Sequence, residues 1–198
     1  MKERAALVVF LSSLVLSACA QPPTPIAFEG RDKARVLRCT LRPEGPRLVS
    51  SNFLGLTETI RAGSPAKIEM FSTQRVDLNL NNISYQMFPA TTPFSPNPQE
   101  FLKKYFVDSA GELGLNVPPA RKANIENGVA EIGMTKQEVY AALGPPLWVD
   151  FENDASAMTL EALMEKNRWV YRVSQFGFFP PVTRVFMFDE GKLRQTIP

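Results

Sequence analysis

The chain of 198 residues contains no histidine. That removes Ser-His-Asp and Cys-His nucleophilic catalysis, together with the usual zinc and non-haem iron sites. There are only two cysteines, Cys19 and Cys39, without the paired spacing of a redox or zinc motif. No glycine-rich phosphate loop is present, and no window carries a run of bases: Lys103-Lys104 and Arg121-Lys122 are isolated pairs. With a formal net charge of +2, nothing global argues for nucleic acid. Neither a nucleic-acid partner nor a cofactor is expected, and no small-molecule substrate suggests itself. Carboxylate chemistry is the catalytic class left open. Its one starting point is Asp150, Glu152 and Asp154, which lack the glycine turn and distal glutamate of a calcium loop. They read as an exposed turn, and an enzyme is not expected.

Long apolar runs are also scarce. Ala5–Leu16 stands out, follows the bases Lys2 and Arg4, and is too short to span a bilayer comfortably. It leads into Leu16-Ser17-Ala18-Cys19, which resembles a bacterial lipobox. That resemblance implies a signal peptide over residues 1–18 and acylation of Cys19. Several acyl chains exceed the one-chain limit of marginal membrane binding, so the anchor would be stable. Ala20 rather than Asp follows the cysteine, which by the sorting rule of such lipoproteins favours the outer membrane, facing the periplasm. The plain alternative is an ordinary secretory signal with a chance cysteine. Without residues 1–18, which hold two bases and one acid, the net charge falls from +2 to +1. If Cys19 is acylated, Cys39 is left alone and reads as a small buried hydrophobe.

Proline, by contrast, is plentiful. Gln21-Pro22-Pro23-Thr24-Pro25 cannot join a helix or a central strand, and residues 19–35 read as a tether. Residues 36–90 read as a small all-β unit. Strand candidates are Val36–Leu41, Leu48–Leu56, Ala66–Met70, Arg75–Leu80 and Ile83–Phe88, with period-two alternation clearest in Arg75–Leu80. Asn81-Asn82 can adopt positive φ and close a hairpin. The stretch Ile60–Ile68, Ile-Arg-Ala-Gly-Ser-Pro-Ala-Lys-Ile, is similar to a turn-strand of bacterial SH3-like barrels. Residues 91–123 read as a linker with one helix, in which Asn97 caps, Pro98 takes the first position, and Phe101, Leu102, Tyr105 and Phe106 share a face.

The most sharply specified stretch is Gly133–Pro146. Thr135 and Glu138 form a capping box, and Met134 with Val139 forms the hydrophobic staple. Gly144 in a left-handed conformation would end the helix, and Pro145-Pro146 forbid its continuation. Val139, Ala142 and Leu143 fall on one face, Lys136 and Gln137 on the other, so the spacing predicts a short amphipathic helix. Three strand candidates follow, Leu147–Phe151, Arg168–Val173 and Val182–Phe188, with an insertion at Asn153–Lys166 that holds one or two helical turns.

The order Gly-Met-Thr-Lys-x-Glu-Val, Leu-Gly-Pro-Pro, Trp-x-Tyr and Val-x-x-Phe-Asp-x-Gly-Lys-Leu resembles the BamE (SmpA/OmlA) lipoprotein family. The match is carried by Gly133, Met134, Thr135, Lys136, Glu138, Val139, Leu143, Gly144, Pro145, Trp169, Tyr171, Val185, Phe188, Asp189, Gly191 and Lys192, within residues 124–198. The resemblance implies an α-α-β-β-β domain with a three-stranded antiparallel sheet, and association with the machinery that inserts β-barrel proteins. The expected fold class is α+β, a small N-terminal all-β unit followed by this domain.

Two functions follow. One is a lipid-anchored, non-catalytic scaffold or assembly factor that works through envelope proteins, the β-barrel assembly machinery among them. The other is a periplasmic binding or inhibitory module for cell wall, peptide or an enzyme. The candidate contact site is Phe178, Phe179, Pro180 and Pro181, an apolar tip between strands. The alternative is that Phe178 and Phe179 cap the local core.

Overall fold

The computed structural model describes residues 22–51, 54–150, 153–173 and 182–198. The fold is mixed α+β. The strands are β1 (Arg35–Leu37), β2 (Arg47–Val49), β3 (Pro65–Phe71), β4 (Val76–Leu80) and β5 (Ile83–Phe88), followed by helix α1 (Pro98–Tyr105) and β6 (Phe106–Val107). Then come α2 (Pro119–Glu126), α3 (Lys136–Leu143), β7 (Trp148–Val149), β8 (Asn153–Asp154) and α4 (Leu160–Glu165). The chain ends with β9 (Arg168–Arg172), β10 (Thr183–Asp189) and β11 (Lys192–Ile197).

The first sheet runs β2-β5-β4-β3-β1-β6. Its β2–β5 pair is parallel, and its other pairs are antiparallel. The hairpin between β4 and β5 turns on Asn81 and Asn82, both at positive φ, 52° and 65°, as their short polar side chains permit. The span expected as a five-stranded unit within 36–90 takes a sixth strand, β6, from inside the segment expected as a linker. That segment carries α1, capped by the Asn97 side chain, and also the start of α2.

The expected strand Val36–Leu41 stops at Leu37. Beyond it, Arg38 N–H donates to the Tyr105 carbonyl and Thr40 N–H to the Ala141 carbonyl, 2.8 and 2.7 Å. These buried amides find their acceptors at helix ends rather than on a strand, so the ladder ends while the burial continues. Of the expected Leu48–Leu56 strand, the described residues form only β2.

The second sheet runs β11-β10-β9-β7-β8, antiparallel throughout. Five strands replace the expected three. Asn153-Asp154 adds an edge strand, and Lys192–Ile197 forms the opposite edge, with Leu193 the buried residue of its six. The inserted segment also holds α4, capped by Thr159, whose Leu163 is buried and accepts the Trp169 indole N–H at 3.3 Å.

Helix α3 lies at the centre. Its capping box forms as the spacing predicts: Glu138 N–H donates to Thr135 Oγ1, and Thr135 N–H donates to Glu138 Oε2 at 2.6 Å. Its amphipathicity does not hold, because every residue from Glu138 to Leu143 is buried. The second sheet covers one face, with Trp169 edge-on to Tyr140 at 6.2 Å. The first half of the chain covers the other, where the Tyr140 hydroxyl donates to the Lys104 carbonyl. Gly144 ends the helix at φ 74°, ψ −164°. That is not the left-handed region expected but a corner of backbone space essentially confined to glycine.

One hydrophobic cluster joins both halves, from Leu37 to Leu193. Within it, Phe71, Phe94, Phe101, Tyr105 and Phe106 surround α1 with ring centroids 4.6–6.4 Å apart. Each such ring, fully buried, contributes about 1.5–3 kcal/mol from area alone.

The proline segment is not free along its whole length. Ile26 N–H donates to the Phe71 carbonyl at 2.8 Å, and Phe28 stacks edge-on against Phe71 at 6.1 Å. Arg31 donates to the Glu69 carbonyl, and β1 then pairs Arg35 with Ala66. Residues 26–37 therefore run back along β3 as a docked strap, and the expected tether shortens to the residues before Ile26. Among the described residues no helix is long and apolar enough to cross a membrane.

Candidate functional site

A trough of about 630 Å³ opens between three segments distant in sequence: the turn at Ala62-Gly63, the loop Ala110–Asn116, and α2. Each wall has a local cause. The turn is closed by Ser64 N–H donating to the Arg61 carbonyl, with Gly63 at φ 83°. Gly63 N–H donates to Leu37 and Ala62 N–H to Thr40 Oγ1, which ties the turn to the end of β1. The loop makes a 3-10 turn over Ala110–Leu113 that stops at Gly114 in the left-handed region, where glycine bears no steric cost. Helix α2 begins with Pro119 at its first position, where a missing N–H costs nothing. It buries Ile125 beneath the trough and turns Lys122 and Glu126 toward its lining.

The trough is half open and mixed in character. Leu113, Leu115, Ala62 and Ile125 supply apolar surface, while Asn116, Lys122 and Glu126 supply polar groups. A Cβ on Gly63 would make only an ordinary contact, 3.7 Å from Leu113 Cδ1, so what calls for glycine here is its φ of 83° rather than space. Glu126 pairs with Arg61 at 3.7 Å across the rim, an exposed pair worth well under about 1 kcal/mol. Lys122 has no carboxylate within ion-pair distance among the described residues. What this arrangement can do is recognition: it offers apolar contact, one uncommitted cation and an amide.

A second polar cluster joins the two halves. Lys104 on α1 is 7% exposed, and its Nζ donates to the carbonyls of Ser156 and Ala155 at 2.6 and 3.4 Å. Burial lowers its pKa, and the nearby Glu100 and Asp154 charges pull the other way. Asp154 accepts from the hydroxyls of Thr91 and Thr92 and, at 2.8 Å, from Ser156 N–H. Partial burial pushes its carboxyl up, but these donors outweigh it and leave it below the usual range. The cluster fastens α1 and the Thr91-Thr92 loop to the inserted segment. It does not gather the expected carboxylates: Asp150 pairs with Lys166 instead, and Glu152 lies outside the described residues.

The residues that carry the resemblance gather around α3. Tyr171 donates its hydroxyl to the Gly144 carbonyl, Met134 and Val139 are fully buried, and Pro145 follows in the core. Leu143 and Trp169 are buried, and Lys192 forms a bridge with Thr135 beyond Gly133. This constellation holds the fold together. Cys19 and the tip Phe178, Phe179, Pro180 and Pro181 lie outside the described residues.

Sequence reasoning missed the trough. Its lining is assembled from three segments more than forty residues apart at the extremes, and two of those read as turn and loop. The one available signal is the alternation Leu113, Leu115, Val117, three half-buried residues in a stretch read as plain loop. No protein-family model, no curated protein and no solved structure matches the chain.

Proposed function

We propose that this protein is a lipid-anchored, non-catalytic contact module on the periplasmic face of the bacterial outer membrane, with a C-terminal half resembling the BamE lipoproteins. The observation that carries the reading is the docked strap. Ile26 and Phe28 are fixed on Phe71, so an acyl anchor at Cys19 leaves only residues 20–25 between membrane and body. A chain that short reaches at most ~25 Å. The fold then works as a rigid body held at the surface, which offers its faces to envelope proteins, the β-barrel assembly machinery among them. The single core that joins both halves supports rigidity.

Membrane fractionation of Cys19→Ala tests the reading. The variant should leave the outer-membrane fraction and appear soluble or in the inner membrane. A variant that stays in the outer membrane would rule out the anchor.

The trough favours the second reading, a module that binds an apolar peptide or an enzyme segment. Its half-open form, apolar patches and uncommitted Lys122 suit an extended segment bearing a carboxylate. Pull-down from solubilised outer membrane against pull-down with purified cell wall separates the two.

A further inference from the structure

Between Gly114 and Pro118 the chain is held straight by its own sequence. Val117 precedes Pro118, and Pro118 precedes Pro119, so both are turned away from the helical conformation. Leu115 and Val117 are half-buried against the core while Asn116 and Pro118 are exposed, which is the period of two of an extended strand. The segment has the form of a strand yet belongs to neither sheet. Among the described residues, the N–H groups and carbonyls of Leu115, Asn116 and Val117 have no protein partner. Main-chain groups along an extended run are directional donors and acceptors, and a second extended chain can pair with them.

This bare edge borders the trough, whose lining includes Leu115 and Asn116. The other walls add selection by side chain. Leu113 and Ala62 complete an apolar seat with Leu115. The charges nearby are sorted by their partners. Glu126 faces Arg61 at 3.7 Å, and Glu112 accepts from Ser109 Oγ and Asp108 N–H. Arg121, beside Lys122, pairs with Glu138. Lys122 is then the charge of the lining that has no counter-ion among the described residues. The complement of such a wall is a carboxylate.

We propose that the trough docks an extended peptide segment whose main chain pairs along residues 115–117. An apolar side chain of that segment sits among Ala62, Leu113 and Leu115, and a carboxylate close to it in the segment meets Lys122. This rests on the second reading above, in which the protein binds a peptide or an enzyme segment, and adds how the segment is held. A volume of about 630 Å³ is that of a small-ligand pocket and admits a short strand, not a folded face.

The test presents the full acylated chain, in detergent micelles, to an array of acetylated hexapeptide amides. In these, Val, Leu or Phe alternates with Thr, and one position carries Asp or Lys. Asp peptides should be retained about fivefold better than their Lys counterparts, and Lys122→Glu should reverse that preference. Lys122 is exposed, so the reversal leaves the core untouched. N-methylation of the backbone in the best Asp peptide should weaken retention about fivefold at alternate positions, those whose N–H faces residues 115–117. A preference that Lys122→Glu leaves unchanged, or retention indifferent to N-methylation, overturns this mode of docking and leaves peptide binding itself standing. Retention of no peptide overturns both.

Discussion

The backbone N–H of Thr40 donates to the carbonyl of Ala141 over 2.7 Å. One residue belongs to the first sheet's margin and the other to the last turn of α3. The same threonine donates its hydroxyl to the Ile125 carbonyl and accepts Ala62 N–H. Its side chain therefore ties α2 and the trough wall to the end of β1. In Thr40→Val the methyl replaces the hydroxyl at similar volume, and both partners are left unpaired in a buried site. The expected loss is about 2 kcal/mol. Calorimetry should show one unfolding transition, moved down in temperature. Two separate transitions would mean that the halves do not share a core.

Gly144 at φ 74°, ψ −164° donates its N–H to Tyr140 and accepts from Tyr171 with its carbonyl. Gly144→Ala should cost roughly 1–3 kcal/mol, the strain of a side chain in that corner of backbone space. Gly144→Val should cost more. Urea midpoints measure both, and unchanged values would remove the glycine requirement.

Cys39 is fully buried, and burial pushes its thiol up to about 12, with Arg38 opposing weakly. The thiolate is the reactive form. Ellman's reagent at pH 8 should therefore leave Cys39 untouched in the native protein and react fully in denaturant. Rapid reaction of the native thiol would contradict this burial.

The Asp154 carboxyl lies below its usual range, because the Thr91, Ser156 and Thr92 donors outweigh its desolvation. Its folded value is thus lower than the unfolded value of about 3.9. The stabilisation it confers is present above that unfolded value and is lost as pH falls through the folded one. Asp154→Asn should lower the melting temperature at pH 7 and flatten its fall below about pH 4. Parallel pH profiles for the two proteins would refute the role.

What could be read from the sequence was what is local. The capping box and the proline stop of α3 lie within fourteen residues and appear where they were expected, with Met134 and Val139 both buried, as does the Asn81-Asn82 hairpin. The second edge of the second sheet was missed because Lys-Leu-Arg-Gln-Thr-Ile buries only Leu193, so little alternation marks it. Helix α2 was not marked in the sequence because Pro118-Pro119 reads as loop, although Pro119 sits at a helix start. The burial of Tyr140 and Ala141 depends on Lys104 and Thr40, partners far away in the chain. The trough escaped for the same reason, since no one of its three segments carries a motif alone.

The register of β1 has a consequence for the order of events. Val36 pairs with Val107, and Thr40 waits for Ala141. A chain that emerges amino end first, whether from a ribosome or from a pore, waits about 70 residues for Val107 to complete its first sheet and about 100 for Ala141 to meet Thr40. Until Val107 follows, β1 has one neighbour instead of two, and Leu37, Cys39 and Leu41, all buried in the finished fold, lack their full cover. Such long-range closure makes for slow folding and a sticky nascent state.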